Sequence, residues 1–310
     1  MYPKIVALGE PLVEIMRSAI DQPLSQPGEF MGPFPSGAPA IFADACARLG
    51  ASTGFIGVVG DDAFGQVIVR RLSSDGVDVT NVRTSGDYAT GMAFVAYRSD
   101  GSRSFLFHLE HSAAAQLQVK DVPREYFQNS HFVHITGSAL ATSASVREAC
   151  YRAVEYTKAA GGKVSFDPNL RPELGGIEQL RAMCEPVLRV CDVVFPSEQE
   201  AVHLTGESDE MRACRALLGR GIPIVALKQG AHGSTIVTQD DVISAPPLPL
   251  NEVDPTGAGD CYAAAFVTAL VEGWELAQVA RFANIVGALS VTRRGPMEGA
   301  PDRASALAYL

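Results

Sequence analysis

The chain has 310 residues, 47% hydrophobic and 19% charged, with a formal net charge of −10. That length fits one large α/β domain with an insertion, and the composition is that of a chain burying an ordinary core. The negative charge argues against a nucleic-acid partner, no apolar run approaches the 18 residues of a membrane span, and the N-terminus lacks the long apolar stretch of a secretory leader.

In chain order, Ile5–Gly9 reads as a strand, Pro39–Leu49 as a helix stopped by Gly50, Phe55–Val59 as a strand and Ala63–Leu72 as a helix. Thr90–Arg98 and Arg103–His108 read as strands of a hairpin, because Asp100-Gly101 stands between them. His131–Ile135 is a strand and Ser145–Ala160 a helix ended by Gly161-Gly162. Lys163–Phe166, Val193–Phe195, Ile224–Leu227 and Thr235–Val237 continue the strands. Continuous apolar strands separated by helices predict a mostly parallel sheet covered on both faces, in a three-layer α/β/α fold whose ligands bind at the carboxyl ends of the strands. Two segments break this rhythm. Residues 11–35 carry Pro11, Pro23, Pro27, Pro33 and Pro35 without a helical pattern, and residues 86–118 contain the hairpin; both read as additions to the main sheet within a single domain of residues 1–310. Cys46, Cys150, Cys184, Cys191, Cys214 and Cys261 form no CxxC pair and read as buried free thiols of a reducing cytoplasm.

The run Val253-Asp254-Pro255-Thr256-Gly257-Ala258-Gly259-Asp260 opens directly into the apolar helix Cys261–Val267. Glycines let a ligand approach the main chain, and the first N–H groups of a helix lack internal partners, so the turn is an anion site. Asp260 at its mouth is a carboxylate beside that anion, a placement that suits proton abstraction from a hydroxyl or a simple helix cap. Walker A, G-x-G-x-x-G and G-x-S-x-G patterns are absent, as is metal-ligand spacing around His131 and His134.

The string Asp254-Pro255-Thr256-Gly257-Ala258-Gly259-Asp260 resembles the second signature of the ribokinase/PfkB family of carbohydrate kinases, and the resemblance runs from Gly9-Glu10-Pro11 to Gly299-Ala300-Pro301. It implies the ribokinase-like fold with a small β-sheet lid built from the segments at about 11–35 and 86–118. It also implies that the Gly257, Ala258 and Gly259 amides form the anion hole and that Asp260 is the catalytic base. Pro35-Ser36-Gly37-Ala38-Pro39-Ala40-Ile41 resembles the first signature, with Ser36 in place of a Gly and Ile41 in place of the usual Asn; Ser36 and Gly37 are then sugar contacts. The resemblance places Asp167 and Asn169 near phosphate and metal, with Asp167 acting on the metal indirectly, and makes Arg171 and Glu14 hydroxyl readers. Ser197-x-x-Glu200 stands where relatives carry Asn-x-x-Glu, implying a role in holding Mg²⁺ and phosphate through water; the same spacing is that of a capping box. Lys228, Gly230 and Gly233 resemble the nucleotide loop, and Asn284 is placed beside the adenine. Within this loop His232 reads as a bystander rather than a catalyst.

The implied activity is an ATP- and Mg²⁺-dependent sugar kinase acting on a primary hydroxyl, with room for a monovalent cation and for a homodimer formed through the lid. Its partners are a small sugar and ATP, with neither nucleic acid nor membrane. The branches most similar are the tagatose kinases and the 2-keto-3-deoxygluconate kinases. Glu110, and the lack of any Arg between Phe105 and Ser112 on the second lid strand, point away from an acid and toward a neutral ketohexose. The keto-deoxy acid is the alternative, followed by a nucleoside kinase or a catalytically idle sugar sensor.

Overall fold

The computed structural model describes residues 2–310. Its strands are β1 (Ile5–Leu8), β2 (Leu12–Arg17), β3 (Phe30–Ser36), β4 (Thr53–Gly60), β5 (Asp78–Ser85), β6 (Gly91–Tyr97), β7 (Arg103–His108), β8 (Phe132–Thr136), β9 (Lys163–Asp167), β10 (Val193–Val194), β11 (Ile224–Lys228), β12 (Ser234–Val237) and β13 (Val242–Ala245). Its helices are α1 (Ala38–Arg48), α2 (Ala63–Ser74), α3 (Gly137–Thr142), α4 (Ala144–Ala159), α5 (Ile177–Leu188), α6 (Glu198–Thr205), α7 (Glu210–Gly219), α8 (Ala258–Val271), α9 (Leu276–Ser290) and α10 (Arg303–Leu307).

Nine strands form one sheet in the order β13-β12-β11-β10-β9-β8-β1-β4-β5. All neighbours from β11 through β5 are parallel, and β12 and β13 add an antiparallel edge. The continuous apolar strands follow from burial on both faces. In β1, Ile5 and Ala7 enter the core under α1, α8 and α9, while Val6 and Leu8 enter the core under α4, α5 and α7. Alternate side chains thus feed two separate hydrophobic layers. Strand β1 leads to β4 on one side and pairs with β8 on the other, so the chain reverses its winding direction there and leaves a crevice at the carboxyl edge.

The remaining four strands form a second sheet, ordered β3-β2-β6-β7. The segment 11–35 supplies β2 and most of β3, and the segment 86–118 supplies β6 and β7. Residues beyond β7 then return to the main body, where Ala113 and Leu117 join the core beneath β4. All six cysteines are buried free thiols. Among the described residues, no helix is long and apolar enough to cross a membrane.

Candidate active site

The carboxyl ends of five parallel strands open into one cavity of about 230 Å³. Glu10 follows β1, Ser138 follows β8, Asp167 ends β9 with Asn169 and Arg171 beyond it, Ser197 follows β10, and Lys228 ends β11. Helix α8 meets the same cavity at Gly257, Gly259 and Asp260, while Glu14 and Ser36 reach it from the small sheet. A polypeptide of scattered polar residues thereby converges because each sits at the same end of a parallel strand.

The anion turn has the form its sequence requires. Gly257 is the N-cap of α8 at φ 84°, with no side-chain cap. A Cβ there would lie 2.5 Å from the Pro296 carbonyl and 3.3 Å from Ile41 Cγ2, so the left-handed backbone and the packing both demand glycine. Ile41 is therefore a wall of the turn. A Cβ on Gly259 would lie 3.2 Å from Lys228 Nζ, on the side facing the cavity. An anion at the start of α8 then meets unpaired N–H groups and an ammonium together.

Asp260 is 6% exposed, and Asn169 Nδ2 donates to its Oδ1 at 3.4 Å. Burial, and then the Asp167 carboxylate, raise Asp260 well above the usual carboxylate range, with Lys228 and Arg171 opposing the shift. Lys228 Nζ pairs with Asp167 Oδ2 at 2.5 Å. Burial works against the charge of Lys228, but Asp167 and Glu200 overcome it and hold the ammonium above its ordinary pKa. The strand ends at Asp167 and Asn169 takes φ 36°, so Asp167, Asn169 and Arg171 face one cavity because the chain turns across its floor.

Glu200 has both oxygens occupied: Oε1 accepts the Leu170 N–H and Oε2 the Ser197 N–H, each at 2.8 Å. Burial opposes its ionisation, but Lys228 and these two N–H groups hold its pKa below the ordinary value. Glu200 thus clamps the β9 and β10 ends together, with Ser197 and Glu200 as a capping box on α6, and it lines the same cavity. Among the described residues there is no cluster of three acidic, His or Cys ligands. Such a donor set suits Mg²⁺ held through water and phosphate oxygens rather than in a protein cage.

The small sheet corrects the reading of its outer strand. In β7, Arg103, Phe105 and Phe107 line the cavity, while Leu106 and His108 point to the opposite face. Glu110 lies beyond the strand end and is exposed. The strand therefore does present an arginine to the cavity, two positions before the window in which none was found, and Glu110 has no bearing on the acceptor. Glu14 Oε1 accepts the Ser36 hydroxyl at 2.6 Å. Glu14 Oε2 and Glu10 Oε2 are buried without a hydrogen-bond partner among the described residues. Burial pushes both carboxyls up to about 7. Glu10, Ser138 and Arg103 were not singled out from sequence; only the strand-end position of Glu10 and Ser138 signals them.

Ala258, Gly230, Gly233 and Asn284 do not line this cavity. Gly233 lets the chain pass close to the end of β13, where a Cβ would meet the Ala245 carbonyl at 2.3 Å. Asn284 Nδ2 donates to the carbonyls of Ala245 and Pro246 at 2.8 and 3.0 Å, which satisfies its buried amide within the protein. Both residues shape the segment 245–247 on the far side of Lys228.

Residues 12–303 match the pfkB family carbohydrate kinase model. The chain is 33% identical to the fructokinase of Escherichia coli over 311 residues, covering 98% of each. It is 30% identical to the 5-dehydro-2-deoxygluconokinase of Clostridium perfringens over 304 residues, covering 96% of this chain and 89% of that one. Among solved structures, a ribokinase II-like chain from E. coli in complex with ATP and Mg²⁺ superposes with a TM-score of 0.93 at 40% identity, covering 99% and 98% of the two chains. The fructokinase of Vibrio cholerae with fructose, ADP and calcium bound gives 0.88 at 29% identity, covering 100% and 99%. The likeness thus spans the whole ribokinase-like fold, both sheets included, and the chain belongs to the pfkB family of carbohydrate kinases.

Proposed function

We propose that this carbohydrate kinase transfers the γ-phosphoryl group of ATP to a primary hydroxyl of a neutral ketohexose of the fructose or tagatose type. The observation that carries the acceptor class is the pair of buried carboxylate oxygens on the cavity, Glu10 Oε2 and Glu14 Oε2, which have no hydrogen-bond partner among the described residues. A buried acceptor left unpaired costs about 1–3 kcal/mol. Sugar hydroxyls supply the missing donors, whereas a substrate carboxylate would add a like charge beside these two carboxyls. The fructokinase relatives support the same class.

In the transfer, Asp260 accepts the acceptor hydroxyl proton as the new O–P bond forms and the bond to the departing ADP breaks. A base with a raised pKa is matched to that task near neutral pH. The N–H groups opening α8, together with Lys228, stabilise charge on the moving phosphoryl group, and positioning plus electrostatics do most of the work. Asp167 and Glu200 would hold Mg²⁺ through water; when bound with ATP the ion neutralises phosphate charge. Ser197, Gly230, Gly233 and Asn284 fit the nucleotide side as supports for the walls around it. The small sheet, roofing the acceptor end, acts as a lid that keeps water from the reaction.

A second reading, a keto-deoxy acid acceptor, is favoured by Arg103 and Arg171 in the cavity and by the Clostridium relative. A coupled ADP-release assay across fructose, tagatose, 2-keto-3-deoxygluconate and nucleosides separates them by kcat/KM. The highest value for a neutral ketohexose supports the proposal; the highest for the acid replaces it.

We also propose that the lid pairs two copies of the chain. Its outer face exposes Phe30 (41%) and Leu106 (49%), with Phe94 in edge contact with Phe30 and His108. Sedimentation should give a dimer that Leu106→Asp dissociates; a wild-type monomer at micromolar concentration contradicts it.

A further inference from the structure

The small sheet touches the anion turn at the mouth of its hairpin. Tyr97, the last residue of β6, and Arg103, the first of β7, are cross-strand partners. The Tyr97 hydroxyl donates to Asp254 Oδ1 at 2.8 Å and lies 3.2 Å from Thr256 Oγ1, and Arg103 Nη1 donates to that same Oγ1 at 3.0 Å. Burial first, and the Asp254 carboxylate beside it, push the Tyr97 phenol up, so it stays protonated and is the donor to Asp254.

The two acceptors are not peripheral. Thr256 immediately precedes Gly257, and Asp254 and Thr256 are buried. Asp254 Oδ1 also accepts the Thr256 N–H at 3.0 Å, and its Oδ2 accepts the Gly295 N–H at 2.9 Å. The Gly257 turn in turn packs on Pro296. One carboxylate and one hydroxyl therefore join three pieces: the hairpin of the small sheet, the turn that opens α8, and the 295–296 segment that backs it. A small shift of the hairpin is transmitted to the backbone N–H groups of the turn, which do their work only at hydrogen-bond distance from the developing charge.

We propose that Tyr97 and Arg103 are positioning residues that latch the lid onto the anion turn, so that the turn takes its working geometry only when the small sheet lies over the cavity. This rests on reading Gly257–Gly259 as the anion turn. The latch ties phosphoryl transfer to lid position, and hence to the presence of an acceptor beneath Glu14.

The test uses Tyr97→Phe, which keeps the ring, Thr256→Val, which keeps the shape, and Arg103→Ala beside the conservative Arg103→Lys. Initial rates of ADP release are measured with saturating fructose, or with the fastest neutral ketohexose, and calorimetry gives the Kd of that sugar and of ATP. Loss of one such hydrogen bond in the transition state should lower kcat about tenfold while both Kd values stay within about twofold. The Tyr97→Phe/Thr256→Val double variant should lose little beyond the worse single variant, because both changes open the same latch. Arg103→Lys should recover most of the loss of Arg103→Ala. Unchanged kcat, fully multiplicative losses, or a weakened sugar Kd at unchanged kcat would each overturn the latch. Gly259→Val serves as the control. If it is folded and inactive while Tyr97→Phe matches wild type, the latch alone fails; if it is folded and retains full turnover, the reading of the turn fails and the latch with it.

Discussion

The two sheets of this protein meet the same cavity under different rules. The large sheet presents strand ends: Glu10, Ser138, Asp167, Ser197 and Lys228 arrive there because parallel strands all point one way. The small sheet presents a face: Glu14, Phe105 and Phe107 arrive because of their parity along antiparallel and edge strands. A strand end tolerates a residue's shift by a bond or two. A face does not, since one step of register turns a cavity residue outward. The difference teaches that the residues proposed for the transfer are placed by topology, whereas those proposed to read the acceptor are placed by register.

The sharpest break on the topological side is Gly259→Val. It puts a branched side chain beside Lys228, where the proposal has the phosphoryl group reach the backbone. We expect kcat to fall by at least about 10²-fold, the scale of losing an anion-stabilising donor. Circular dichroism checks the fold and an ATP titration checks nucleotide affinity; a folded, fully active variant would make the turn a helix cap only. On the side of register, Glu14→Gln should raise the KM for the sugar about 10- to 100-fold, since hydrogen bonds to charged groups contribute about 1.5–3 kcal/mol. An unchanged KM would remove Glu14 from the acceptor site.

This contrast also explains what could be read in the residues beforehand. Local strings spoke clearly. The run Asp254–Asp260 contains its own turn, its own helix start and its own carboxylate, so no distant contact is needed to identify it. The central strands were equally plain, because burial on both faces makes them continuous apolar runs such as Ile5–Leu8. Strand β5 was missed for the opposite reason: Asp78–Ser85 lies at the sheet edge, half buried, with little apolar signal. Arg103 was missed because its direction depends on pairing with Tyr97, a register that the string Arg103–His108 does not carry. The capping box of Glu200 is visible in its spacing from Ser197, while the Leu170 N–H on its other oxygen comes from a different strand end and leaves no local trace.

The pH profile sharpens the electrostatic part. On the proposed reading Asp260 works when deprotonated, so activity rises with pH through its pKa, and burial with Asp167 lifts that pKa. The acid limb of kcat/KM should therefore lie above the ordinary carboxylate range. Arg171→Met removes a cation that favours the ionised form, so its limb should move to still higher pH. A shift to lower pH would contradict the placement of Arg171 near the base.

The smallest expected effect is the most pointed check on register. His108 faces away from the cavity, so His108→Arg should leave the ratio of kcat/KM for fructose over 2-keto-3-deoxygluconate within about twofold, the behaviour of a surface site. A clear move of that ratio toward the acid would mean that β7 presents its other face.

The central claim is that the carboxyl edge of the large sheet performs the transfer with Asp260 as base. Its most direct test is ADP release by Asp260→Asn at saturating fructose, with the fructose Kd measured on the same protein. The account predicts a kcat lower by about 10²–10⁴, the usual range for losing a general base, at a nearly unchanged Kd. Wild-type turnover in the folded variant would contradict it.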